Sequence, residues 1–325
     1  MKTITYSEAI REALTLEMER DDELYIMGED VGKYGGLFKV TRGLYEKFGS
    51  MRVIDSPLSE SVIVGAGIGT AISGISSIVE IQFTDLLTCA MDQIVNNAAK
   101  FHYISNGLLT VPLVIRAVYG AGVGSGAHHS QSVEGWFAAI PGLKIVMPST
   151  PYDAKGLLIS SIRDPNPVLF LEHKRLYFAK GEVPEDSYSI PLGKAAIRRE
   201  GSDVTIVATG LLVSQCLEAA DECSEMNISV EVIDLRSICP LDKETILNSV
   251  KKTGRLIIVE EGNLTGGFAG EIAAIVVDEG FDFLDAPIKR VSSSDNPFPS
   301  NVEMELYCLP NKQKIIDTVE ALIVG

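Results

Sequence analysis

Apolar residues recur along this chain in two alternating rhythms. Short runs that are apolar on both faces are followed by segments in which apolar residues return every third or fourth position. In the N-terminal half, L-Y-I-M-G, M-R-V-I-D, S-I-V-E-I-Q-F, V-P-L-V-I-R-A-V, K-I-V-M-P and V-L-F-L-E predict strands. Between them the spacing predicts helices over Tyr6–Arg20 (with Ile10, Ala13, Leu14 and Met18 on one face), Thr41–Phe48, Ser59–Gly74, Asp85–Tyr103 and Tyr152–Ile162. Gly49 and Asn106-Gly107 supply stop signals. Strands apolar on both faces require helices on each side of a parallel sheet. The segment Lys180–Pro191, K-G-E-V-P-E-D-S-Y-S-I-P, breaks the rhythm with acids, two prolines and no period, which marks a linker. Beyond it D-V-T-I-V-A-T, I-S-V-E-V-I-D-L, R-L-I-I-V-E-E and P-I-K-R-V-S predict four more strands with helices between. The expected fold class is α/β: a parallel-sheet domain over residues 1–180, a linker at 181–200 and a smaller α/β domain over 201–325.

One stretch stands apart. Glu60 opens a nearly all-apolar segment, S-E-S-V-I-V-G-A-G-I-G-T-A, and a carboxylate is costly to bury there unless it is paired. Two readings follow: an acid turned to solvent at a helix N-terminus, or an acid held in a pocket for proton chemistry. The glycines also imitate a dinucleotide fingerprint with Glu80 as the ribose acid, but three features oppose that reading. Thr70 occupies the third glycine position, Val62–Val64 is too short for the preceding strand, and Glu80 lies only fifteen residues beyond Gly65. Ser59–Gly74 therefore reads as a helix capped by Ser59, its small residues letting another backbone approach.

Composition narrows the function. With 325 residues, 46% hydrophobic and 22% charged, the chain has material for two cores, and disorder is excluded as its main theme. A formal charge of −16 opposes nucleic-acid binding and suits solubility or a basic partner. Cys89, Cys216, Cys223, Cys239 and Cys308 show neither metal spacing nor a paired framework, so free thiols in a reducing compartment are expected. No apolar run reaches membrane-spanning length and M-K-T-I-T-Y-S-E-A-I carries no secretory or transit signal, which predicts a cytoplasmic protein or a mature form stripped of its address.

Two further segments are candidates for chemistry. In Gly120–Ser132 four glycines alternate with small residues before His128 and His129, a composition that suits close approach to a ligand with a proton donor at hand. A surface loop with incidental histidines is the competing reading. His102 and His173 read as structural, and Trp136 and Phe137 as anchors in the core. The turn I-R-D-P-N-P, residues 162–167, is explained by proline turn chemistry, yet its carbonyls with Asp164 and Asn166 could also hold a hard monovalent cation.

Taken together, G-E-D-V-G, P-L-S-E, D-Q-I-V-N-N-A-A-K, H-S-Q-S, P-S-T-P-Y-D-A-K-G-L-L and T-G-G-F resemble the β-subunit of the thiamin-diphosphate-dependent decarboxylating component of 2-oxo acid dehydrogenase complexes, over essentially the whole chain. The family includes pyruvate, branched-chain 2-oxo acid and acetoin dehydrogenases. The resemblance implies a pyrimidine-binding domain followed by a transketolase-type C-terminal domain. It gives Glu60 the role of the glutamate that hydrogen-bonds the cofactor's aminopyrimidine and promotes the imino form that removes the thiazolium proton. It implies a pyrimidine pocket lined by Leu58 and by Gln82, Leu86 and Cys89, and a role for His129 in transfer to the lipoyl group. Leu113, Ser161, Ile162, Asp164 and Asn166 match positions that bind K⁺ in some members, mostly through backbone oxygens.

Leu86 replaces the family's usual aromatic residue, and His128 replaces its usual glutamine. The G-D-G stretch with a following asparagine, through which thiamin enzymes hold the diphosphate and Mg²⁺, does not occur in this chain. The implied assembly is an α₂β₂ heterotetramer in which an α-subunit supplies that half of the site. The acidic C-terminal domain would dock a basic segment of the lipoyl-bearing acyltransferase core. The remaining alternatives are a self-contained transketolase-like or dinucleotide-dependent enzyme and a non-catalytic regulatory homologue.

Overall fold

The computed structural model describes residues 1–324, which divide into two compact units. The first comprises Met1–Tyr119 and Trp136–Leu192; the second comprises Gly120–Gly135 and the chain from Gly193 on. The glycine-rich loop, expected in the first domain, thus groups with the second.

In the first unit, β1 (Lys2–Thr5) runs into α1 (Tyr6–Arg20), whose start is a reciprocal capping box. The Thr5 hydroxyl accepts from the Glu8 N–H at 3.2 Å and the Glu8 carboxylate accepts from the Thr5 N–H at 2.8 Å. Ile10, Ala13, Leu14 and Met18 are buried as their spacing predicts. There follow β2 (Tyr25–Gly28), α2 (Leu44–Phe48), β3 (Val53–Asp55), α3 (Glu60–Ile72) and β4 (Ser77–Ile81). Ser59 takes the cap position of α3, but its side chain makes no capping bond; its carbonyl receives Val62 N and Ile63 N instead. Gly65, Gly67 and Gly69 lie inside α3 rather than in a strand–helix turn, which removes the dinucleotide reading. A Cβ at Gly67 would stand 2.8 Å from Val79 and 2.9 Å from Leu113, so this glycine sets how closely α3 lies on the sheet.

The single helix expected over Asp85–Tyr103 is instead three pieces: a tight 3₁₀ segment Thr84–Ala90, a wide π-type turn Gln93–Ala98 and α4 (Phe101–Ile104). Leu87, Ala90, Ile94 and Ala98 are buried, so the apolar stripe is real. The ladder breaks where polar side chains bond to local backbone. Thr88 Oγ1 donates to Asp85 O at 2.8 Å, Asn97 Nδ2 donates to Asp92 O at 3.2 Å, and Ala99 N reaches back five residues to Ile94 O.

The unit continues with β5 (Leu113–Tyr119), α5 (Glu134–Ala138), β6 (Lys144–Val146), α6 (Pro151–Ile162) and β7 (Val168–His173), and closes with β8 (Lys180–Val183). β8 pairs antiparallel with β1, so the expected linker begins inside a strand. Within the unit six parallel strands run in the order β6-β7-β5-β4-β2-β3. Phe137 is buried, but Trp136 is 49% exposed and is no core anchor.

At the centre of this sheet Arg116 of β5 lies between two carboxylates. Its Nη1 donates to Glu80 of β4 at 2.5 Å, and Nε and Nη2 donate to both oxygens of Glu172 of β7 at 2.6 and 2.8 Å. Tyr177 Oη donates to Glu172 at 2.8 Å, and its ring stacks on Phe38 at 4.9 Å. All four groups are buried. Burial pushes the Glu80 carboxyl up and Arg116 pulls it back. Loss of water makes each charge depend on the others.

The second unit runs β9 (Ala196–Arg199), β10 (Val204–Ala208), α7 (Leu212–Glu225), β11 (Val230–Asp234), the short β12 (Ser237–Cys239), α8 (Lys243–Thr253), β13 (Leu256–Asn263), α9 (Ala269–Gly280), β14 (Lys289–Ser293), α10 (Val302–Cys308) and α11 (Lys312–Val324). Its five-stranded sheet, β14-β13-β10-β11-β9, is parallel except for β9, an antiparallel edge strand inside the stretch expected to be linker. Ile206, Val232, Ile257, Cys216, Ala220, Ile315 and Val319 share its core. The five cysteines are free thiols, and no helix among the described residues is long and apolar enough to cross a membrane.

Arg116→Ala is predicted to strand two carboxylates in the sheet and to cost about 3–5 kcal/mol in a urea titration. A change below about 0.5 kcal/mol would show that the carboxylates find other partners.

Candidate active site

A parallel α/β sheet binds ligands where its strand order reverses, outside the carboxyl ends of the strands. Here the chain goes from β2 to β3 on one side and then to β4 on the other, so the reversal lies at the end of β2. α3 leaves from the carboxyl end of β3 and begins with Glu60; Gln82 follows the last residue of β4. Leu58, Glu60, Gln82, Leu86 and Cys89 thus all lie on two segments that leave the sheet on either side of the reversal. The segments are tied: Ser61 Oγ donates to Cys89 O at 2.5 Å. Asp55, the last residue of β3, accepts from Gly32 N at 2.5 Å and fastens the loop after β2 beside them.

Glu60 is half-buried, while Leu58 and Val62 around it are 68% and 60% exposed and Cys89 is exposed too. Glu29 follows β2, and its carboxyl is pushed up first by burial, then by Asp30 and Glu60. A carboxylate rimmed by exposed apolar side chains and facing a second acid suits a flat, weakly basic ring that can accept and return a proton. This donor set fits an aminopyrimidine. Glu29 was not singled out from the sequence, although its place directly after a buried strand is the signal that could have found it. Glu80, the apparent ribose acid, is spent on Arg116.

The expected cation positions lie at the opposite, amino edge of the sheet. Leu113 opens β5, and residues 161–166 form the turn from α6 into β7, which pairs with β5. Val111 N donates to Pro165 O at 3.0 Å and ties the two segments together, while Asp164 N donates to Ser161 O at 3.3 Å within the turn. The Asp164 carboxylate pairs with Lys144 and accepts from Asn166 N at 3.0 Å, which leaves backbone carbonyls as the donors for a monovalent ion. Among the described residues no three His, Cys, Asp or Glu side chains converge as metal ligands.

His129 lies in the second unit, half-buried, with exposed His128 beside it. Their loop is built rather than loose. Gly124 and Gly126 have φ of 75° and 76°, where other residues are strained. A Cβ at Gly124 would stand 2.9 Å from Val302, and one at Gly126 would stand 2.8 Å from Ser300 Oγ. Ala121 packs with Phe298 and Leu309, and its N–H donates to Glu261 at 2.5 Å. Glu134 closes the loop. It is buried, its Oε2 has no hydrogen-bond partner, and a Cβ at Gly262 would lie 3.4 Å from Glu134 Oε1 and 3.6 Å from Glu260 Oε2. Burial pushes the Glu134 carboxyl up to about 8, and Glu260 and Glu261 push it the same way. No periodicity announces a buried acid of this kind.

Residues 2–180 match the family model "Transketolase, pyrimidine binding domain", and residues 193–315 match "Transketolase, C-terminal domain". The chain is 50% identical over 317 residues to the 2-oxoisovalerate dehydrogenase subunit beta of Bacillus subtilis (strain 168), covering 97% of each chain. It is 46% identical to the acetoin:2,6-dichlorophenolindophenol oxidoreductase subunit beta of the same organism, over 99% of this chain and 98% of that one. It is 47% identical to the pyruvate dehydrogenase E1 component subunit beta of Rickettsia bellii (strain RML369-C), over 98% of both. A solved structure titled "Split gene transketolase, inactive beta4 tetramer" shares the fold at TM-score 0.81 and 20% identity, covering 99% of this chain and 98% of that one.

The raised Glu134 carboxyl makes a pH prediction. From about 4.5 to about 8 the unfolded chain has ionised this group while the folded chain keeps it protonated, so its contribution to stability falls as pH rises through that window and is level above it. Glu134→Gln should remove that fall, about 1.4 kcal/mol for each pH unit, and leave the variant relatively more stable at pH 8 than at pH 5. Urea midpoints of both proteins at the two pH values test it, and parallel pH curves would refute it.

Proposed function

Because the chain belongs to the family of β-subunits of pyruvate, 2-oxoisovalerate and acetoin dehydrogenases, oxidoreductases built on transketolase pyrimidine-binding and C-terminal domains, we propose that it works with a separate α-subunit in an α₂β₂ heterotetramer that binds thiamin diphosphate through Glu60. One observation carries this reading: Glu60 opens α3 at the strand-order reversal, on the carboxyl edge of a pyrimidine-binding-type sheet.

Bound thiamin diphosphate supplies a carbon nucleophile for the carbonyl of a 2-oxo acid or of acetoin. Glu60 would exchange a proton with a nitrogen of the cofactor's ring, beside Glu29, whose carboxyl is raised by burial first and then by the charges of Asp30 and Glu60. Leu58 and Leu86 give the ring an apolar seat, and Gln82 and Cys89 border it. Leu86 makes this a plain apolar contact rather than an aromatic stack. His129 holds and moves a proton when the acyl group passes to the lipoyl arm of the acyltransferase. Mg²⁺ and the diphosphate fall to the α-subunit. K⁺ fits the carbonyls of Leu113, Ser161, Ile162, Asp164 and Asn166 and would brace the amino edge of the sheet. The acyltransferase core has a candidate seat in the second unit, an apolar groove lined by Val277, Phe281, Leu284 and Ile288, with Asp285 in its lining to receive a basic segment. Five free cysteines support a cytoplasmic setting.

Calorimetric titration of thiamin diphosphate with Mg²⁺ is expected to show binding to the chain co-expressed with its α-subunit and none to the chain alone. In the assembly Glu60→Gln should lower decarboxylation by about 10²–10⁴-fold. Tight binding to the lone chain would overturn the shared site. Comparing kcat/KM for pyruvate, branched-chain 2-oxo acids and acetoin separates the substrates. For the cation, exchanging K⁺ for tetramethylammonium should lower the melting temperature; K⁺ at about a hundred times its Kd is worth about 2.7 kcal/mol. An unchanged melting temperature would dismiss the K⁺ site.

A further inference from the structure

Helix α10 is inverted. Val302, Met304 and Tyr307 are 42%, 61% and 80% exposed, whereas Glu305 is fully buried. A carboxylate out of water must have its lone pairs filled, and the groups that fill these come from the His129 loop. Gly124 N–H donates to Glu305 Oε2 at 2.6 Å and Ser130 Oγ donates to Oε1 at 2.8 Å. One side chain therefore holds both ends of Gly124–Ser130, the span that carries His128 and His129. Inside the span His129 N–H donates to Gly126 O at 3.2 Å, closing a turn between the two fixed ends. The span has no room to slide: Gly124 is pressed on Val302 and Ser300, and Gly126 on Ser300. Ser130 is itself fully buried, so a loop that let go would leave a hydroxyl and a carboxylate without partners.

We propose that Glu305 is the positioning residue that fixes the His129 loop for transfer of the acyl group to the lipoyl arm. The assignment of His129 to that step rests on the function proposed above; the holding of the loop does not. Both bonds are charge-assisted, and losing either exposes the carboxylate's full desolvation cost. The loop therefore has one conformation rather than an ensemble, and its histidine meets the acyl acceptor without a search.

The test uses the assembled α–β enzyme with thiamin diphosphate and Mg²⁺, comparing wild type with Glu305→Ala, Glu305→Gln, Ser130→Ala and His129→Ala. Glu305→Ala is expected to speed hydrogen exchange across Gly124–Ser130 by about tenfold or more. It should lower lipoamide-linked turnover by about tenfold more than turnover with an artificial electron acceptor. Glu305→Gln can still accept from Gly124 N–H and can donate to a reoriented Ser130 hydroxyl, so it should restore most of the protection and most of the lipoamide-linked rate. Ser130→Ala frees one end only and gives a smaller effect of the same sign, which keeps the test open should Glu305→Ala fail to fold. Unchanged exchange in Glu305→Ala and Ser130→Ala, or equal losses in the two turnover assays, would overturn the proposal. If His129→Ala keeps its lipoamide-linked turnover, the role given to His129 fails, while hydrogen exchange alone decides whether Glu305 holds the loop.

Discussion

A carboxylate removed from water must have every lone pair answered, and that demand organises both halves of this chain. In the first unit the answer is a guanidinium: Arg116 satisfies Glu80 and Glu172 and thereby fixes three neighbouring strands to one another. In the second unit the answer is mostly backbone. Glu260 accepts from Ala269 N, Glu261 from Ala121 N and Glu305 from Gly124 N, so acids on β13 and α10 decide where irregular chain can lie. Glu134 keeps an oxygen without a donor, and burial raises its carboxyl so that it retains its proton instead.

Against that background Glu60 differs in being half-buried at the start of a helix, beside Glu29 and exposed apolar side chains. The buried acids are committed to structure, and this one is the acid to which the proposed function gives the chemistry. Its placement follows from topology: a parallel sheet that reverses its strand order opens a crevice, and the segments leaving β3 and β4 are the ones that border it.

Much of this is legible in the sequence. The strands of both sheets that carry long apolar runs, the face of α1 and the division into two α/β bodies follow from periodicity. Elements built from short polar segments were not legible: β1, β8 and β9 are edge or pair strands whose residues alternate weakly. The stretch from Thr84 to Ala98 kept its predicted buried stripe and lost its predicted hydrogen-bond ladder, because Thr88 and Asn97 compete for local carbonyls. Trp136 shows the limit of assigning burial by residue type. Of the candidate site, Glu60 stood out as a charge before an apolar helix, and its chemistry came from resemblance. Glu29, Glu134 and Glu305 did not stand out, since a glutamate among polar neighbours gives no sign of which donors will reach it in space.

The grouping of residues 120–135 with the C-terminal half carries a consequence for how the protein comes into being. The loop leaves the ribosome well before Glu261 and Glu305, at ordinary elongation rates by on the order of ten seconds. During that interval its glycines have nothing to lie against, and the second unit cannot be completed from the chain after Gly193 alone. The two halves are therefore poor candidates for recombination as interchangeable cassettes: a C-terminal half grafted behind a foreign N-terminal half would arrive with its carboxylates and without the loop that answers them.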